Sequence, residues 1–89
     1  MFDKVTIDER IARRHPELSE DDVKSAWNNA IQYAERTTDD LDAPLLVAVG
    51  SDSRDRLLEL VAVAGEESIH IFHAMTPPSK KTLEELGVK

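Results

Sequence analysis

The spacing of apolar residues along the chain changes from a helical to an alternating pattern near residue 30. Before that point, apolar side chains recur at intervals of three and four positions, which places them on one side of an α-helix. We expect this helix over residues 19–29, with Ser19 as its N-cap and Asp22 three positions on, as in a capping box. Its apolar side is formed by Val23, Ala26, Trp27, Ala30 and Ile31.

A shorter helix is predicted closer to the start of the chain. Ile7, Ile11 and Ala12 have helical spacing, so we expect a helix over residues 6–14. Pro16 follows closely and is a stop signal. The chain therefore opens with two helices.

Beyond residue 30, apolar residues alternate or run together in short segments that are separated by polar turns. Such segments are typical of β-strands. Strands that follow one another through short turns predict an antiparallel meander of three or four strands. The segments are residues 30–37, 44–50, 56–65 and 69–75, and the polar turn TTDDLDA occupies residues 37–43.

The last predicted element is a short helix. Thr76 before Pro77 is typical of an N-cap followed by proline at the first helical position. Gly87 is expected to end this helix. The complete order predicts a single α+β domain over residues 1–89, built from two N-terminal helices, a three- to four-stranded antiparallel meander and a C-terminal helix. We expect the helices to pack on one face of the sheet.

Composition narrows the class of protein. The 89 residues are 40% apolar and 33% charged, which fits one folded domain. The chain has no cysteine, which excludes disulfide frameworks and thiolate chemistry. No apolar run approaches the roughly 20 residues of a membrane helix, and the opening MFDKVTIDER lacks the apolar core of a signal peptide. We therefore expect a cytoplasmic protein that does not contact a membrane.

The net charge is −7, from 18 acidic and 11 basic residues, and argues against binding nucleic acid over the whole surface. The basic residues are clustered, however, so a local basic site remains compatible with this charge. The arginines of the first predicted helix form either a stripe facing RNA or a partner, or basic residues at the negative end of the helix, with His15 as its cap. We favour the second interpretation. The clusters are Arg10, Arg13 and Arg14, then Arg54 and Arg56, then Lys80 and Lys81.

Lys80 and Lys81 stand at the start of the last predicted helix, where the helix dipole favours acidic residues. A bound phosphate would reverse this preference, because free N–H groups at a helix start also bind anions. The alternative is a set of surface ion pairs with Glu84 and Glu85, which stabilise a helix little. The sequence supports both interpretations.

His70 and His73 lie on the last predicted strand, an odd number of positions apart. On a regular strand they face opposite sides of the sheet. His73 lies nearer the following turn, so we prefer it as an acid or base near neutral pH. The alternative makes His73 a hydrogen-bonded packing residue and His70 an exposed one.

Glu59 is an acidic residue inside the apolar segment RLLELVAV. It is either a base with a raised pKa or, as we favour, the partner of Arg56 or of a lysine. We find no histidines four positions apart and no group of histidines and carboxylates typical of a metal site. No cofactor is expected.

The order of elements and their residues resemble the BrnT-like ribonuclease toxins, a branch of the RelE/ParE-like toxin superfamily. The resemblance implies the toxin of a bacterial type II toxin–antitoxin system, which is a metal-independent endoribonuclease neutralised by a cognate antitoxin protein. The matching segments are ERIARRHPELSEDDVKSAWNNA for the opening helices, PLLVAVGSDSRDRLLELVAV for the central hairpin, IHIFHAM for the last strand and PSKKTLEEL for the terminal helix. The basic pair that the family carries at the start of this helix would fall on Lys80 and Lys81, and the polar residue just before that pair on Ser79. An arginine that the family often carries shortly after the last strand would fall near Met75.

Cleavage of RNA without a metal ion needs a base, an acid and cations that stabilise the phosphorane. On this hypothesis Lys80 and Lys81 bind phosphate, and His73 acts as acid or base with Glu59 as its partner. The further RNA contacts are Arg54, Arg56, Ser79 and His70.

The alternative hypothesis is a non-enzymatic protein-interaction module that retains the toxin fold. The net charge of −7 and the uncharged Met75 favour it. The sequence is also compatible with a homodimer.

Overall fold

The computed structural model describes residues 4–36 and 45–87. These residues form a five-stranded sheet and three helices, which confirms the α+β class. The polar turn predicted over residues 37–43 lies outside the described residues. In chain order the elements are β1 (Lys4–Ile7), α1 (Arg10–Arg14), α2 (Glu20–Asn28), β2 (Ala30–Arg36), β3 (Leu45–Ser51), β4 (Leu57–Ala64), β5 (Ser68–Met75) and α3 (Lys80–Leu86).

The sheet has the strand order β1-β5-β4-β3-β2. Strands β2 to β5 pair antiparallel with their neighbours in sequence, which confirms the predicted meander with four strands. Strand β1 was not predicted. It lies beside β5 and runs parallel to it, so the sheet is mixed.

The helix predicted over residues 6–14 is wrong in its first part. Its residues up to Ile7 belong to β1, and α1 begins only at Arg10. The segment KVTI contains three β-branched residues, which favour a strand. Val5 and Ile7 also lie against the buried core, whereas Lys4 and Thr6 are exposed. This alternation fits a strand at the edge of the sheet.

Helix α2 follows the prediction closely. The Ser19 hydroxyl accepts a hydrogen bond from the Asp22 N–H at 3.1 Å, and the Asp22 carboxylate accepts one from the Ser19 N–H at 2.9 Å. These two bonds are the predicted capping box. Trp27 is buried as expected, but Ile31 is not part of the apolar side of the helix. It lies on β2 and is 63% exposed, because the helix ends at Asn28.

The helices lie on both faces of the sheet, so the prediction that they share one face is wrong. α1 and α2 pack on the face that carries Ala48, Leu58 and Leu60. Helix α3 packs through Leu86 on the other face, against Val47 and Val49. The reason lies in β3 and β4, which are apolar at successive positions. Successive side chains point to opposite faces, so both faces of these strands need cover.

Gly50 permits the close packing of α2 on β3. A Cβ atom added at this position would lie 2.0 Å from the carbonyl oxygen of Ala26 in α2. No side chain fits between these two backbones. The helix therefore lies directly against the strand at this point.

Helix α3 begins later than the sequence predicts. Its N-cap is Ser79, whose hydroxyl accepts a hydrogen bond from the Thr82 N–H. The Thr76 hydroxyl instead donates to the Leu57 carbonyl at 2.7 Å and connects the end of β5 to β4. Gly87 ends the helix in the left-handed conformation with φ 72°, as predicted. No helix among the described residues has the length and apolar character needed to cross a membrane.

Candidate active site

A β-bulge in β5 sets the positions of both histidines on the sheet. His73 is opposite Val61 of β4, but Ile71 is opposite Ala62, so β5 has one extra residue, Phe72. The extra residue changes the alternation, and His70 and His73 face the same side of the sheet. Our expectation that they face opposite sides is therefore wrong.

His73 and Glu59 form the central contact of the candidate site. His73 Nε2 lies 2.8 Å from Glu59 Oε2, across strands β4 and β5. A carboxylate only accepts hydrogen bonds, so Nε2 carries the hydrogen and Nδ1 carries the lone pair in the neutral ring. No other described residue hydrogen-bonds to Nδ1. The contact therefore fixes both the orientation and the tautomer of the ring.

Glu59 also binds the start of α3. Its Oε1 accepts hydrogen bonds from the Ser79 N–H at 3.0 Å and from the Ser79 hydroxyl at 2.8 Å. Burial would raise the pKa of Glu59, but hydrogen bonds from Thr82, Ser79 and His73 outweigh it and lower the pKa to about 2. The two expectations for Glu59, a raised pKa and pairing with Arg56 or a lysine, are therefore both wrong. It is a buried carboxylate held by a histidine and a helix cap.

A cleft of about 470 Å³ opens beside this pair. Strand β1 accompanies β5 only as far as Ile71, so no strand of the described part of the chain borders the rest of β5 on that side. Helix α1 packs against β5 and provides one wall of the cleft. The residues around the cleft are Arg10, Ile11, Arg14 and His15 from α1 and its end, Leu45, Glu59, Val61, Phe72, His73 and Ala74 from the strands, and Thr82 from α3.

The α1 wall carries positive charge, and the described residues neutralise only part of it. Arg10 binds the Asp8 carboxylate through Nε at 3.1 Å and Nη2 at 3.0 Å, and these bonds hold the pKa of Asp8 well below its usual range. His15 caps α1, as predicted, and its Nδ1 lies 3.8 Å from Glu17. Arg14 is exposed and has no ion pair with another described residue. As far as the described residues go, its guanidinium is available to an anion in the cleft.

The predicted lysines do not line this cleft. Lys80 and Lys81 are exposed on the first turn of α3, next to the contact between Ser79 and Glu59. The ion pair between Lys80 and Glu84, which was the alternative interpretation, is not formed. The carboxylate of Glu59 already occupies the N–H of Ser79. The binding of phosphate by Lys80 and Lys81 stays a prediction.

His70 and the two hairpin arginines also lie outside the cleft. His70 Nδ1 is 2.7 Å from the Thr6 hydroxyl, and its Nε2 is 3.4 Å from Asp8. These contacts join β5 to β1. The role of His70 in RNA binding stays a prediction.

Arg54 and Arg56 connect the β3–β4 hairpin to the start of α2. Both donate to the buried Asp22 carboxylate at 3.0 Å. Arg56 also donates to Asp52 at 2.8 Å and to the Glu17 carbonyl at 3.1 Å. These bonds give both arginines a structural role, and their role as RNA contacts stays a prediction.

Of the site residues predicted from the sequence, the structure brings three together and leaves the others outside the cleft. Glu59, His73 and Ser79 are in contact through Glu59. Thr82, Phe72, Arg14 and His15 line the cleft and were not predicted as site residues. Arg14 was assigned to the helix end, and the only signal for its second role was the cluster of basic residues in ERIARRH.

The described residues contain no group of three or more histidines and carboxylates that would hold a metal ion. The cleft brings together the imidazole of His73, the carboxylate of Glu59 that orients it, and the guanidinium of Arg14. This is an arrangement for proton transfer beside an anionic group. Comparison of the chain with protein-family models, with curated proteins and with solved structures gives no match.

Proposed function

We propose that the chain is the toxin of a type II toxin–antitoxin system and cleaves RNA in the cleft between α1 and β5 without a metal ion. One observation carries this proposal: the 2.8 Å contact between His73 Nε2 and Glu59 Oε2 at the side of a cleft that also contains Arg14. A histidine oriented by a carboxylate is a common general base. RNA is a substrate that supplies both a proton to remove and an anionic group to bind.

The proposed reaction begins at the 2′-hydroxyl of the ribose. His73 Nδ1 removes its proton, and the 2′-oxygen attacks the adjacent phosphorus. The bond from phosphorus to the 5′-oxygen of the next nucleotide breaks, and His15 donates a proton to that oxygen. The products are a 2′,3′-cyclic phosphate and a 5′-hydroxyl end. Glu59 stabilises the imidazolium that forms, since its low pKa keeps it ionised.

Arg14 is the cation that we assign to the phosphate at the moment of bond exchange. It lines the cleft and has no ion pair with another described residue. A donor with no competing carboxylate is better placed to stabilise developing negative charge. Lys80 and Lys81 lie outside the cleft, and we assign them to attracting RNA rather than to the reaction.

The experiment that tests the proposal is an RNA cleavage assay in EDTA with the purified chain free of antitoxin. We expect wild type to cleave RNA, to leave DNA of the same sequence intact, and to produce 2′,3′-cyclic phosphate ends. General acid–base groups contribute about 10²- to 10⁴-fold, so His73→Ala should lower the rate by that factor. Glu66→Ala is the control, since Glu66 is exposed on a turn and does not line the cleft, and it should cleave as wild type does. The proposal is falsified if clean wild type neither cleaves RNA in EDTA nor arrests growth when expressed.

A second candidate function is a protein-interaction module that uses the toxin fold without catalysis. Ile31 and Tyr33 favour it, because they are 63% and 51% exposed on β2, at the edge of the sheet opposite β1. Exposed apolar side chains on an edge strand are typical of contact surfaces. A cognate antitoxin that covers β2 would serve either function. Absence of cleavage together with binding of such a partner would support the second candidate.

A further inference from the structure

We propose that Phe72, Val61 and Leu45 form a subsite for one unpaired base of single-stranded RNA, immediately beside His73. The inference rests on the proposed function and specifies its substrate class. Its structural basis is the bulge in β5, where Phe72 and His73 occupy successive positions on one face of the sheet. The aromatic ring of the subsite and the proposed general base, His73, are therefore adjacent along the chain.

The three apolar residues form one side of the cleft. Leu45 and Val61 are buried, and Phe72 is half-buried. All three line the same cleft as His73. Phe72 also contacts the core beneath α3, which limits the movement of its ring. A partly exposed ring that is fixed from behind presents a flat apolar surface to a ligand.

Charge complementarity identifies the occupant of the subsite. The cleft combines this apolar surface with Arg14, whose guanidinium has no ion pair with another described residue. A nucleotide has the same combination, since its base has apolar faces and its phosphate is anionic. Single-stranded nucleic acid is commonly held by aromatic side chains that stack on bases next to cations that bind phosphates.

The size of the cleft favours a single strand over a duplex. Its volume of about 470 Å³ is within the usual range for a site that encloses one small ligand. Bases in a duplex are stacked and paired, so they do not enter such a site. In A-form RNA the deep, narrow major groove also keeps the base edges from side chains. The structure thus assigns an unstacked base to the subsite.

The test uses fluorescence anisotropy with a labelled RNA oligonucleotide whose 2′-positions are methylated to prevent cleavage. Wild type should bind this single strand more tightly than an oligonucleotide of equal length with abasic sites, and more tightly than the duplex. Loss of stacking on one aromatic residue corresponds to roughly 5- to 150-fold in affinity. Phe72→Leu should therefore lose most of the preference for the base-containing strand, whereas Phe72→Tyr should keep it.

Tyr33→Leu is the matched control, since Tyr33 is an exposed aromatic residue that does not line the cleft. It should bind as wild type does. Equal binding of the abasic and base-containing strands by wild type would overturn the inference, and this comparison needs no variant to fold. Unchanged affinity and preference in a folded Phe72→Leu variant would also overturn it.

Failure of the subsite is distinguishable from failure of the proposed function. Cleavage by wild type with no preference between abasic and base-containing strands would reject the subsite and retain the ribonuclease. Binding that depends on Phe72, without cleavage of unmodified RNA, would retain the subsite and reject the ribonuclease.

Discussion

The hydroxyl of Ser79 donates a hydrogen bond to Glu59 Oε1 at 2.8 Å, and so connects the start of α3 to the middle of β4. The Ser79 N–H donates to the same oxygen at 3.0 Å. Glu59 is thus an N-terminal partner for a helix that has no acidic residue in its first turn. Its other oxygen orients His73. One carboxylate therefore serves both the packing of α3 and the proposed reaction.

We expect Glu59→Gln to destabilise the fold by about 1–3 kcal/mol at pH 7, because a buried charge-assisted set of hydrogen bonds is weakened. Urea denaturation followed by circular dichroism measures this change. Glu66→Gln removes a carboxylate from an exposed turn and is the control. A surface change of this kind should stay within about 0.5 kcal/mol.

Wild type and Glu59→Gln together also test how the stability of the fold depends on pH. The pKa of Glu59 falls from its ordinary value of 4.5 to about 2 in the folded chain. A lowered pKa means that the ionised group stabilises the fold above its unfolded pKa, and that this contribution is lost as the pH falls toward the folded pKa. The difference between wild type and Glu59→Gln should therefore shrink between pH 5 and pH 2. A constant difference over this range would contradict the assignment.

Arg56→Ala should destabilise the fold more than Arg54→Ala. The side chain of Arg56 is 26% exposed and binds two buried carboxylates, whereas that of Arg54 is 61% exposed. Removing one partner from a buried ion pair leaves an uncompensated charge, so we expect a loss of about 3 kcal/mol for Arg56→Ala. For Arg54→Ala we expect less than about 1 kcal/mol. Thermal unfolding of the two variants gives the comparison, and equal losses would reject the structural role of Arg56.

Gly50→Ala should destabilise the fold by at least about 2 kcal/mol, because overpacking against backbone atoms forces the helix to move. The new Cβ atom would lie 2.0 Å from the Ala26 carbonyl oxygen. Gly65→Ala is the matched control, since its Cβ would meet only the rotatable Ser68 hydroxyl at 2.9 Å and the Ser68 carbonyl oxygen at 3.5 Å. Denaturation midpoints measure both effects. Similar midpoints for the two variants would show that α2 does not need the close approach.

The double variant Lys80→Ala/Lys81→Ala should weaken RNA binding without slowing cleavage at saturating RNA. The lysines are exposed and lie outside the cleft, so their effect is electrostatic attraction. The salt dependence of affinity should become shallower by about 0.7 for each phosphate contact that is lost. Lys4→Ala/Lys24→Ala removes the same charge elsewhere and should leave the slope unchanged. A lower rate at saturating RNA would instead place the lysines in the reaction.

The elements that sequence reasoning predicted well are those fixed by local chemistry. The capping box of Ser19 and Asp22 and the glycine at position 87 are settled within a few residues, so α2 and the end of α3 were predictable. The meander followed from the short turns between apolar segments. These signals do not depend on how distant parts of the chain meet.

The errors arise where distant residues decide the outcome. Strand β1 exists because β5 accepts it as a parallel neighbour, and a four-residue segment carries too little pattern to show this. The bulge at Phe72 follows from the pairing of β4 with β5, and it reversed the expected orientation of His73 relative to His70. The partners of Glu59 come from β5 and α3, which the sequence of β4 does not reveal.

The parallel pairing of β1 with β5 also has a kinetic consequence. Thr6 and His70 are in contact although 64 positions separate them, so this edge closes a loop that spans most of the chain. Contacts of such long range form after the local hairpins, because the entropy of loop closure must be overcome first. The α1 wall follows β1 directly in sequence. In native-state hydrogen exchange β1 should open before the central strands, and each such opening would release the wall that carries Arg14.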